Sequence, residues 1–114
     1  MNSALIATWR MPLQGREKLA LDYALEVNEY WGKLSAEGKS SEPEMFFFSD
    51  RGMWMVKGTP DALWQILEAD ESQRMMAQGN LLLGDFAYEF VKTGNAASEH
   101  LLRCAGVGQE LSLI

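Results

Sequence analysis

The sequence predicts an α+β domain in which four antiparallel strands carry their helices on one face. Three observations point there. Apolar residues alternate with period two near both ends of the first 94 residues, at 3–11 and 84–94. They recur at three- and four-residue spacing over 15–37, and again after Thr59. Between those helices lies a tight turn, Asp50-Arg51-Gly52, with Met45-Phe46-Phe47-Phe48 before it and Met53-Trp54-Met55-Val56 after it.

The first strand, "SALIATWRM", puts Leu5, Ala7 and Trp9 on one face and Ala4, Ile6, Thr8 and Arg10 on the other. Pro12 stops it, because proline cannot donate to a strand ladder. The first helix buries a stripe of Leu19, Ala20, Tyr23, Ala24, Val27, Tyr30, Trp31 and Leu34, and Glu29 pairs with Lys33 one turn on. Gly38 is its predicted stop. A hairpin follows, with strands at 44–49 and 53–58; its loop is expected to use a positive φ at Gly52. Gly58 ends the second of these strands. In "TPDAL", Thr59 suits an N-cap, Pro60 the first helical position and Asp61 the positive end of the helix dipole.

This helix buries Leu63, Ile66 and Leu67, with Trp64 at one edge. Periodicity hesitates at "EADESQ", and a second helical segment runs to Gly79 before the closing strand. On that strand Phe86, Tyr88 and Phe90 share one face and Ala87, Glu89 and Val91 the other. The tail reads two ways, as a short helix through "SEHLLRCAG" and as an edge strand through "QELSLI".

The order βαββαβ, with right-handed crossovers, makes a ferredoxin-like plait of one domain spanning 1–114, with a core at 3–94 and a C-terminal extension at 95–114. Such a sheet has one face without helices. Both hairpin strands are apolar on both sides, so that open face needs a cover. The expected cover is a second copy stacked sheet to sheet, a homodimer closing into an α+β barrel. The alternative is the tail folding back over the face.

Composition narrows the functions. Of 114 residues 47% are hydrophobic and 23% charged, and the net charge is −6. Without a basic cluster to offset that charge, nucleic acid is excluded as a partner. A single cysteine, Cys104, allows no internal disulfide and no cysteine-rich zinc site. With no basic n-region and no apolar run near ~18 residues, the expectation is a cytoplasmic protein without membrane association.

Three segments resemble the dimeric α+β barrel superfamily, which holds the YCII-related, EthD-like and antibiotic-biosynthesis-monooxygenase-like proteins. These are "MPLQGREKLA", the hairpin passing into "VKGTPDAL", and "EADESQRMMAQGNLLLGDFAYEFVKTG". The resemblance covers 3–94 and implies the plait and the dimer. It does not carry an activity across. YCII-related proteins are associated with a histidine on the first helix, and 15–37 contains none. Haem-degrading members need an axial ligand, and His100 lies outside the matched region. No cofactor is implied.

Six aromatic residues, Trp9, Tyr23, Trp31, Phe47, Trp64 and Tyr88, are candidates to line a cleft for a small aromatic ligand, because a rigid apolar ring with a polar tip can orient a flat molecule. Ordinary core is the competing reading for each. Arg10 is placed to anchor a carboxylate or phenolate, or to pair with Glu89. His100 and Cys104 share a helix face if the tail is helical, but no third group completes a nucleophilic site, and a plain apolar stripe with Leu101 is preferred. Glu68, Asp70 and Glu71 read as a solvated helix end rather than a metal site. No catalytic residue is assigned. The favoured function is small-molecule binding. A cofactor-independent monooxygenase or isomerase acting on an aromatic or polyketide-like substrate stands second, and a structural or protein-interaction module third.

Overall fold

A computed structural model describes residues 2–114. The elements are β1 (Ser3–Trp9), α1 (Glu17–Ala36), β2 (Glu44–Phe47), β3 (Gly52–Gly58), α2 (Pro60–Glu68), α3 (Asp70–Leu82), β4 (Ala87–Lys92) and α4 (Gly94–Glu110). The sheet runs β2-β3-β1-β4, with every neighbouring pair antiparallel. This is the plait that the element order predicts.

Register explains which side chains meet the helices. Leu5 lies between Val56 and Phe90, and Ala7 between Trp54 and Tyr88. With Met45 opposite Trp54, this face packs on Trp31, Leu63, Ile66 and Leu67 to form the main core. The opposite face presents Ile6, Phe46, Met53, Met55 and Val91, which are half-buried to exposed, with Glu44, Lys57 and Glu89 among them, and no helix of the described residues packs on it.

Several predicted signals do their work as expected. The Thr59 side chain accepts from the Ala62 N–H at 3.3 Å. At the end of α1, Gly38 takes φ +76°; its N–H donates to Ser35 and that of Lys39 to Leu34, so the last carbonyls are satisfied by a left-handed cap. Glu29 and Lys33 pair at 3.6 Å.

Other expectations need correction. β1 ends at Trp9, two residues early, because Arg10 and Leu13 donate instead to the carbonyls of Gly84, just past α3, and Leu82, its last residue. The hairpin loop has four residues, Phe48 to Arg51, closed by the Phe48 N–H donating to the Arg51 carbonyl at 2.8 Å. Gly52 does not have a positive φ. It is glycine because it faces Trp9 across the ladder, and a Cβ there would fall 2.4 Å from the indole. The segment after Ala69 is a full helix, α3, and Ala69 alone is extended between it and α2. Gln73 bridges that break by donating to the Leu67 carbonyl at 2.7 Å.

The tail is the largest departure. Residues 94–110 form one helix, without an edge strand, and none of its residues is buried. It does not fold back over the open face. Leu101, Leu102, Val107, Leu111, Leu113 and Ile114 are all exposed.

Candidate functional site

A cleft of about 500 Å³ opens between α1, α3 and the helix-bearing face of the sheet. Its origin is a difference between the helices. α2 sits directly on β1 and β3, whereas the α1 backbone approaches α3 and stands off the sheet. Long side chains span the gap, and Trp31 reaches the sheet to meet Trp54 edge to face, with ring centroids 5.3 Å apart. Around Ala20 and Ala24 of α1, whose side chains are too short to span it, the gap stays open.

Four of the six predicted aromatics border this space: Trp9, Tyr23, Trp31 and Phe47. They come from β1, α1 and β2, brought together because strand parity and helix periodicity aim all of them into the same layer. Trp64 and Tyr88 do not border it. Trp64 lies on the outer side of α2 against Phe90, centroids 5.5 Å apart, and Tyr88 lies on edge strand β4 beside Phe86. Both are substantially exposed.

The four play different parts. Trp31 is 2% exposed and belongs to the core as much as to the cleft wall. Phe47 is 76% exposed and stands at the rim. Trp9 packs over Gly52, and its indole N–H has no protein acceptor among the described residues. Tyr23 is buried and donates its hydroxyl to the Met75 carbonyl at 2.7 Å. Burial pushes its ionisation up to about 12, so it remains a neutral phenol and is poorly suited to abstract a proton.

Sequence reasoning missed Trp54, Met45, Met75, Met76, Leu83 and Phe86 as lining residues. Trp54 was recoverable, since it shares strand parity with Val56 and its N–H donates to Asn28 on α1 at 3.3 Å. Met75 and Met76 were not, because they depend on how α3 sits beneath α1. Interior polar groups are already partnered: besides Tyr23 and Trp54, the hydroxyls of Tyr30 and Ser72 bond each other at 2.8 Å. No buried side-chain nitrogen or oxygen among the described residues lacks a partner. The wall is therefore apolar in effect, and charge is confined to the mouth, at Arg10, Glu17 and Arg51.

Arg10 does not pair with Glu89, which lies opposite Ile6. Its guanidinium meets Asp50 at 3.3 Å and Asp85 at 3.5 Å. His100 and Cys104 share a face of α4, 3.6 Å apart, both exposed and apart from the cleft lining. No cluster of three or more metal-ligating side chains occurs among the described residues, and none of their helices is long and apolar enough to cross a membrane.

Solved structures share this architecture. A candidate antibiotic biosynthesis monooxygenase from Deinococcus radiodurans superimposes with a TM-score of 0.62 at 8% identity, covering 81% of this chain and 92% of its own. The fold is ferredoxin-like. An EthD-family protein from Bacillus halodurans gives 0.58 at 13% identity, covering 82% and 100%. A dimeric ferredoxin-like protein of unknown function from Bacteroides fragilis gives 0.53 at 8%, covering 82% and 98%. No family model matches the chain, and no curated protein does. At such identities the ferredoxin-like likeness is one of fold, and this fold hosts many unrelated functions.

Proposed function

We propose that this ferredoxin-like protein binds a small, flat aromatic molecule in the cleft under α1, and that it does so as a homodimer stacked through its open sheet faces. The observation that carries the binding reading is the cleft itself. About 500 Å³ lies within the range of ordinary ligand sites, and its walls are aromatic and methionine side chains whose polar atoms, the Trp9 indole N–H apart, are already satisfied. Such a wall holds a ligand by apolar burial and ring contact. The dimer reading is supported by the uncovered Phe46, Met53 and Met55 of the hairpin's open face and by the dimeric neighbour of the same fold.

Turnover is the second reading, favoured by the monooxygenase-like neighbour. Binding is preferred because the one phenol in the wall is tied to a backbone carbonyl and held protonated, while His100 and Cys104 stand on a separate helix.

Native mass spectrometry of the purified protein, repeated after denaturation, tests both parts. The expected result is a dimer carrying extra mass that denaturation releases. A clean monomer defeats the dimer. A bare dimer that also takes up none of a panel of two- and three-ring aromatics defeats the binding reading.

A further inference from the structure

We propose that the ligand is an aromatic anion, a carboxylate, sulfonate or phenolate on a flat ring system, and that Arg51 binds its charged group at the cleft mouth. This rests on the cleft being the binding site. Inside, the hydroxyl of Tyr23, the indole N–H of Trp54 and the hydroxyl of Ser72 are each committed to a protein partner. A ligand charge placed there would lose its hydration with at most one neutral donor, the Trp9 indole N–H, in exchange, so it must stay at the mouth.

Three charged groups face that mouth, and two are engaged. Arg10 is held by Asp50 and Asp85. Glu17 accepts from the Gly15 N–H at 3.2 Å and repels an anion. Arg51 is different: it has no carboxylate within 4 Å among the described residues, although acidic residues outnumber basic ones 16 to 10 in this chain. Its guanidinium lies over the Phe48 ring, 4.8 Å from the centroid, and its carbonyl closes the hairpin loop by accepting from Phe48. A planar cation fixed on an aromatic face keeps its N–H edge free for a planar anion. Phe47, exposed at the same rim, would cover the ligand's rings while Arg51 takes the charge.

Two probes with one ring system test this: 1-anilinonaphthalene-8-sulfonate and its uncharged parent N-phenyl-1-naphthylamine, titrated by fluorescence against the 114-residue chain. Wild type should bind the sulfonate about tenfold more tightly at ~20 mM salt, with the preference narrowing at ~500 mM. Arg51→Gln should erase the preference and leave the neutral probe's affinity unchanged. Ala24→Trp, which fills the cleft from α1, should weaken both probes. Equal affinities in wild type, or a preference that survives Arg51→Gln, overturn the role of Arg51 while the cleft stands. If Ala24→Trp folds and both probes still bind it as before, they sit elsewhere, and the cleft reading falls with the proposal.

Discussion

Tyr23 links the cleft wall to stability through one proton. An unfolded tyrosine ionises near 10, whereas burial pushes Tyr23 up to about 12. Between those values the unfolded chain releases the phenolic proton and the folded chain keeps it, so folding loses stability as pH rises through that window. The contribution is intact below pH ~10 and amounts to a change on the order of 2 kcal/mol by pH ~12. Tyr23→Phe keeps the ring but orphans the Met75 carbonyl, and should cost about 1 kcal/mol at neutral pH. The wild-type advantage should then vanish between pH 10 and 12 and reverse by pH ~12, as read by urea unfolding. Curves that stay parallel across that range would show that Tyr23 does not titrate this way. At this scale the sequence revealed side chains but not their neighbours. Trp9, Tyr23 and Trp31 were recognisable from periodicity alone. That Gly52 is glycine to accept the Trp9 ring, rather than to bend a turn, depends on two strands meeting in register, which no local pattern encodes.

Among the elements, those whose apolar stripe faces the core were readable in advance, and the others were not. α2 has the Thr59 cap, the Pro60 start and three buried residues in register, and each was visible in "TPDALWQIL". α4 has no buried residue, so nothing in the fold selected its pattern, and "QELSLI" could alternate like a strand while the chain stayed helical. Its attachment is correspondingly slight. A chain ending after Gly94 retains all four strands, both core clusters and the Thr93 N–H bonded to the Asn2 carbonyl at 2.9 Å. Such a truncated protein should unfold cooperatively with a midpoint within about 5 °C of the full chain, monitored by circular dichroism at matched low concentration. A much larger drop would mean that α4 is covered in solution, by another copy or by its own fold.

Among the described residues of the whole molecule several apolar surfaces are left uncovered, the open sheet face, α4 and α1 at its exposed Leu21 and Leu25 among them, and the proposed dimer uses the first. On the open sheet face, Met55 sits on strand β3 opposite Ile6 and Glu44, with Met53 and Phe46 beside it on the same face. Its side chain points away from the helices, so replacing it by aspartate leaves the core of Leu5, Trp54 and Leu63 untouched. In a twofold sheet-to-sheet dimer the same change appears twice in one interface, placing two desolvated carboxylates close together. Met55→Asp should therefore give a monomer at concentrations where wild type is dimeric, with unchanged circular dichroism and the cleft still open to the neutral naphthylamine. If wild type is dimeric and Met55→Asp stays so, the face is not the interface, and the exposed leucines of α4 become the next apolar surface to test as a join between two copies. The truncation after Gly94 then separates the cases. A sheet-faced dimer survives loss of α4, and a helix-joined dimer falls apart.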